Sequence, residues 1–163
     1  MHLDNARRLQ EIIVHIGWPA QEQVGEEASQ AAWLLVQHAI SLPSFMKSAL
    51  TLMQEQEKTR TINPVSMVFL SDRIAMYEDR PQSYGTQFVS DEQGILLPYR
   101  LDDSVDQVNQ RRLKLGLNSI EERLLELTAQ MEVEQEEQPA ENDKHLQLEE
   151  YYAWRRKVGW IST

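Results

Sequence analysis

From Asp4 onward the apolar positions Leu9, Ile12, Ile13 and Ile16 fall three and four residues apart, the period of one helical face, and the run stops at Gly17-Trp18-Pro19. The last run, LQLEEYYAWRRKVGW, closes the same way at Gly159-Trp160. A glycine in the left-handed conformation after a helix turns the next residue back onto the last turn. That geometry places Trp18 near Ile13, and Trp160 near Trp154 or Arg155. Between these ends, GEEASQAAWLLVQHAI predicts a second helix with acidic residues in its first turn, where the helix dipole favours them. A third, from Ser44 to Lys58, carries Phe45, Ala49, Leu52 and Met53 on one side. Asn63 as N-cap and Pro64 at the first helical position open a fourth, which ends before Pro81.

The period then changes. YGTQFV, a turn at SDEQG, and ILLPYRL predict a β-hairpin near residues 83–101, with Gly94 in the turn and Pro98 marking an edge strand. Ser104 with Gln107, and Ser119 with Glu122, match the capping box, so two further helices are expected over about 105–115 and 120–135, with Gly116 as the stop between them. The expected fold is mainly α (α+β): a compact helical domain of about five to seven helices with one β-hairpin packed against them, over residues 1–135. The stretch EVEQEEQPAENDK predicts an acidic linker over 136–144. A C-terminal amphipathic helix over 145–163 then docks on the domain or engages a protein partner.

Composition narrows the function classes. Acidic residues outnumber basic ones by 26 to 16 over 163 residues, a formal charge of −10, and such a field repels phosphate backbones and anionic lipid. Nucleic acid and membrane are therefore not expected partners. Cysteine is absent, which excludes disulfides, thiolate metal sites and a cysteine nucleophile. The first residues reach charge within four positions, no run has the length of a membrane span, and a cytoplasmic protein is expected.

On a helical wheel the second helix aligns Ala31, Leu34, Leu35 and His38, which puts His38 on the face expected to be buried; Gln30, Trp33 and Gln37 make a second stripe. The fourth helix aligns Val65, Val68, Phe69, Asp72 and Met76, so a carboxylate shares an apolar face and needs a partner. His38, Arg73 and backbone amides are the candidates. A His–Asp pair in a partly dry pocket would orient an imidazole as a general base. A core histidine and an aspartate tying two helices together would give the same pattern. His2, His15 and His145 carry no expected chemistry. No metal-ligand spacing joins His38, Asp72, Glu26 and Glu27, no cofactor is indicated, and nucleophile-elbow, P-loop and dinucleotide motifs are missing.

The stretch PQSYGTQF is the most unusual in the chain. Read as a strand from Gln82, it turns Gln82, Tyr84, Thr86 and Phe88 to one side, with Gly85 and Gln87 on the other. Gly85 would allow close approach of a backbone or a ligand, and the amides and hydroxyls offer donors and acceptors. A solvent-facing strand start explains the same composition.

Taken in order, GW after the first helix, AAWLLVQHA, LSDR, PQSYGTQF and RRLKLGL resemble a bacterial family known only as a domain of unknown function, over about residues 3–125. The resemblance marks His38, Asp72, Arg73, Gln82, Tyr84, Gly85, Thr86 and Gln87. One departure is Asp79-Arg80 before Pro81, where the family pattern leads one to expect a glycine-containing turn. Two functions follow as expectations. In the first, a small hydrolase or group-transfer enzyme uses His38 as base and Asp72 to orient it, with Arg73, Gln82, Tyr84, Gly85, Thr86 and Gln87 holding a small polar or anionic ligand. In the second, a non-catalytic ligand-binding or interaction module presents Tyr151, Tyr152, Trp154 and Trp160 to a protein partner.

Overall fold

The computed structural model describes residues 2–137 and 144–162, with side chains over 4–132 and 148–162. Residues 138–143 of the expected linker, and the side chains of His2 and His145, lie outside this description. In chain order the elements are α1 (His2–Ile16), α2 (Gln21–Val24), α3 (Glu26–His38), α4 (Pro43–Gln56), α5 (Pro64–Tyr77), β1 (Phe88–Ser90), β2 (Leu96–Pro98), α6 (Val105–Lys114), α7 (Ile120–Glu137) and α8 (Lys144–Val158). Mainly helical architecture with one antiparallel hairpin is thus observed. The additional helix, α2, is a single turn, too short for periodicity to reveal.

The helix boundaries follow local chemistry. Asn63 accepts from the Val65 and Ser66 amides at the start of α5. Ser119 and Glu122 exchange reciprocal bonds of 3.1 and 2.8 Å at the start of α7, a complete capping box. At the end of α8, the Trp160 amide reaches back to the Arg155 carbonyl at 2.9 Å, with Gly159 at φ 90°. This is the expected left-handed glycine ending.

The main core lies among α1, α3, α4 and α5: Ala6, Leu9, Val36, Phe45, Met46, Ala49, Met53, Leu70 and Ile74, closed by Trp18 and Trp160. The α3 stripe differs from the wheel by one residue. Ala32 and Val36 face the core, Gln37 is buried beside them, and Leu34 and His38 are exposed. The Trp33 indole donates to the Ser66 carbonyl at 2.9 Å, which turns the 33/37 stripe toward α5 and swings His38 outward. His38 is therefore not a buried-face residue.

The C-terminal helix docks on its own chain. Trp160 stacks on Tyr77 with ring centroids 5.0 Å apart and donates to the Ile40 carbonyl at 2.7 Å. Arg155, 2% exposed, donates to the Tyr77 carbonyl at the end of α5. Trp154 packs edge-on against Tyr77. Of the expected aromatic face, Trp154 and Trp160 turn to Tyr77 at the end of α5, and Trp160 also to Ile40 just beyond α3, while Tyr151 and Tyr152 are half-buried.

The hairpin is shorter than expected: Phe88 pairs with Pro98 and Ser90 with Leu96, and Gln82 makes an isolated parallel bridge to Leu101. Residues 83–87 are not a strand. The Ser83, Tyr84 and Thr86 amides turn to one side chain instead of a neighbouring strand.

Candidate functional site

That side chain is Asp72. One carboxylate oxygen accepts from the Ser83 amide at 2.9 Å and the Tyr84 amide at 3.3 Å. The other accepts from the Tyr84 amide at 3.2 Å, the Thr86 amide at 3.1 Å and the Thr86 hydroxyl at 3.0 Å. An ionised carboxylate suits this place because it accepts at both oxygens and donates nowhere. Asp72 is 1% exposed. Burial holds its carboxyl above the ordinary range, against the opposing pull of the bonds from Thr86, Ser83 and Tyr84.

Two further side chains fix the same loop. The Gln82 amide nitrogen donates to the Gln87 carbonyl at 2.9 Å and the Tyr99 carbonyl at 2.8 Å, while its oxygen accepts from the Gln87 amide at 2.9 Å. Arg112, on α6, donates through Nη1 to the Tyr84 carbonyl at 2.8 Å and the Gly85 carbonyl at 3.0 Å. The peptide groups of the loop thus turn N–H toward an anion and C=O toward a cation, so their dipoles are aligned between Asp72 and Arg112. Gly85 is required at the apex. Its φ is 61°, and a Cβ there would lie 2.8 Å from Ile120 Cδ1.

Arg73 joins the loop to α3: Nε donates to the Gln87 side-chain oxygen at 3.3 Å and Nη1 to the Gln37 carbonyl at 3.0 Å. The Gln87 side-chain nitrogen Nε2 donates to the Thr86 hydroxyl at 3.0 Å. Asp72, Arg73, Gln82, Tyr84, Gly85, Thr86 and Gln87 therefore meet in one network. His38 stands at the exposed end of α3, next to Gln37 in the chain. The departure at Asp79 has a local reading: its φ is 63°, the left-handed conformation a glycine would take, and its carboxylate accepts from the Tyr99 hydroxyl at 3.1 Å.

On the far side of the loop lies a cleft of about 200 Å³ lined by Phe69, Thr86, Arg112, Leu117, Asn118 and Arg123. Arg112 is 3% exposed and gives Nε to the Asn118 carbonyl at 2.6 Å and one Nη2 hydrogen to the Asn118 side chain at 3.3 Å. One N–H of Nη2 remains. Burial lowers the Arg112 pKa, and the charge of Asp72 opposes that shift. Arg123 gives Nη1 to Glu126 at 2.8 Å, which among the described residues leaves Nε and Nη2. Asn118 donates one amide hydrogen to the other Glu126 oxygen at 2.9 Å and keeps one. Thr86 is committed on both sides, donating to Asp72 and accepting from Gln87, so it shapes the wall.

Sequence reasoning did not select Arg112, Asn118 or Arg123. A signal existed for Arg112, which lies four residues after buried Val108 and so shares the inward stripe of α6. Nothing in the local pattern marks Asn118 or Arg123, which become neighbours of the loop only through the α6–α7 turn. Among the described residues no group of three or more His, Cys, Asp and Glu side chains is placed to hold a metal ion, and no helix is long and apolar enough to cross a membrane.

No curated protein and no solved structure matches the chain. A family profile does, over residues 1–134, which takes in α1 to α6, the hairpin, the clamped loop and most of α7. The chain belongs to that family, DUF6624, a family of unknown function.

Proposed function

We propose that this chain is a non-catalytic binding module for a small polar or anionic ligand, seated in the cleft behind the 82–87 loop. The observation that carries the reading is a cleft with two guanidiniums in its lining, each with N–H capacity that no described residue takes up: one N–H on Arg112, and Nε with Nη2 on Arg123. Clefts with apolar walls and a few convergent polar groups are the usual form of small-ligand sites. The Asp72 network supports a preorganised wall, since a loop held at its amides and its carbonyls does not need to be ordered when a ligand arrives.

A hydrolase or group-transfer reaction driven by His38 and Asp72 is the weaker reading. Asp72 receives the amides of Ser83, Tyr84 and Thr86 on its two oxygens, and His38 is exposed on a different element. A protein partner for α8 is also weaker, because Trp160 and Arg155 are buried against the chain itself.

The test is a two-dimensional NMR titration with a mixture of small organic acids and amides, reading backbone amides and arginine Nε signals. Shifts concentrated at Thr86, Arg112, Asn118 and Arg123, and reduced in Arg123→Gln, are the expected result. Shifts centred instead on His38 and Asp72 would restore the catalytic reading.

A further inference from the structure

Resting on that reading of the cleft, we propose that its ligand is a small monocarboxylate with a short hydrocarbon segment. The carboxylate is held by Arg123 together with the remaining N–H groups of Arg112 and Asn118, and the hydrocarbon segment lies between Phe69 and Leu117.

Three features select this class. The first is the donor inventory. Among the described residues the N–H groups without an acceptor are one on Arg112 Nη2, those on Arg123 Nε and Nη2, and one on the Asn118 amide. Nε and Nη2 of one guanidinium form the planar fork that matches the two oxygens of a carboxylate. Arg112 and Asn118 then supply a second donor to each oxygen. A phosphate presents more oxygens in a tetrahedral array, and those beyond this set would be desolvated without partners, which is costly.

The second is charge. Asp72 lies behind Arg112, and Glu126 is paired to Arg123 at 2.8 Å, so much of the cationic charge is already balanced. The chain as a whole carries −10. A single negative charge gains from two guanidiniums at short range, whereas a second would meet Glu126 and the acidic field of the molecule.

The third is shape. A cleft of about 200 Å³ has room for roughly seven atoms at a water's share of about 30 Å³ each. Phe69 and Leu117 give part of that space apolar walls, which favour methylene groups over a further polar function. The match is a short-chain acid of about four or five carbons.

The experiment compares butyrate, formate, inorganic phosphate and butyramide by NMR titration of the full chain. It reads the Thr86 and Asn118 amides and the Arg112 and Arg123 Nε signals. The proposal expects butyrate to shift these signals and to bind at least about tenfold more tightly than phosphate or butyramide. Leu117→Ala should weaken butyrate while leaving formate unchanged. Arg123→Gln should remove most of the affinity, and Arg123→Lys should restore only part, since an ammonium lacks the fork. Arg123 is half-exposed, so these variants keep the fold, which the dispersion of the remaining signals verifies. If phosphate or butyramide shifts the same signals as strongly as butyrate, the cleft stands and the carboxylate assignment falls. If none of the four moves them in the folded protein, both the assignment and the binding-module reading fall.

Discussion

At Asp72, burial and hydrogen bonding pull in opposite directions. Removing a carboxylate from water raises its energy, and the amides of Ser83, Tyr84 and Thr86 with the Thr86 hydroxyl return part of that energy. Asp72→Asn keeps the shape but sets an NH₂ group against inward-pointing donors. We expect a loss of about 3 kcal/mol, seen as a lower urea midpoint at unchanged slope. The folded pKa is raised above its ordinary value of 3.8, so this group's contribution is fully present below that value and is lost as pH rises through the folded pKa. The stability difference between wild type and Asp72→Asn should therefore shrink from mild acid toward neutrality; a difference that grows would show that the hydrogen bonds outweigh burial. Asp79→Gly tests the other singular residue. Relief of the left-handed conformation is worth about 1 kcal/mol, the lost bond from Tyr99 about as much, and the 3.6 Å ion pair with buried Arg155 is lost besides, so a net loss of about 1 kcal/mol is expected in urea unfolding.

The elements are joined at their ends by buried and half-buried donors. Arg73 reaches the Gln37 carbonyl in the last turn of α3, Arg155 the Tyr77 carbonyl at the end of α5, and the Trp160 indole the Ile40 carbonyl just beyond α3. Helix C-termini leave carbonyls without intrahelical partners and carry partial negative charge, so cations and N–H donors are suited to them. This explains how α8, beyond the span of the family profile, becomes part of the main core. Trp160→Ala should cost about 3–5 kcal/mol, through the cavity beside Tyr77 and the lost bond to Ile40. Calorimetry distinguishes this from an independent tail. Unchanged melting of the Trp160→Ala chain would show that α8 does not stabilise the domain.

For the molecule as a whole, a formal charge of −10 on 163 residues is a term of its own. Exposed acidic residues such as Glu121, Glu122, Glu126 and Glu132 along α7 repel one another, while the buried cations at the loop and helix ends are largely shielded from solvent. Moderate salt screens the first set far more than the second. We therefore expect the melting temperature to rise as sodium chloride is brought from about 10 mM to 150 mM, by a few degrees or about 1 kcal/mol. A fall over that range would mean that surface ion pairs such as Arg111–Asp102 dominate instead.

Much of this protein is determined locally. Helix ends at Asn63, Ser119, Gly17 and Gly159 depend on residues within one turn, so the sequence by itself set them, and with them the mainly helical class and the hairpin. It also marked Asp72 as a carboxylate in need of partners, because a charge on an apolar stripe is visible in the periodicity. Which partners it has was decided by tertiary structure. The loop 83–87 has strand-like composition, yet the amides of Ser83, Tyr84 and Thr86 go to Asp72, on a helix more than ten residues earlier, and no local rule reports such a pairing. The outward turn of His38 was settled in the same way, by Trp33 on Ser66, a bond between two helices. The cleft exists only because α6 and α7 bring Arg112, Asn118 and Arg123 against the back of that loop. Local sequence fixes caps and periods because their interactions span a single turn; the site joins residues from α5, the loop, α6 and α7, and only the fold sets those distances.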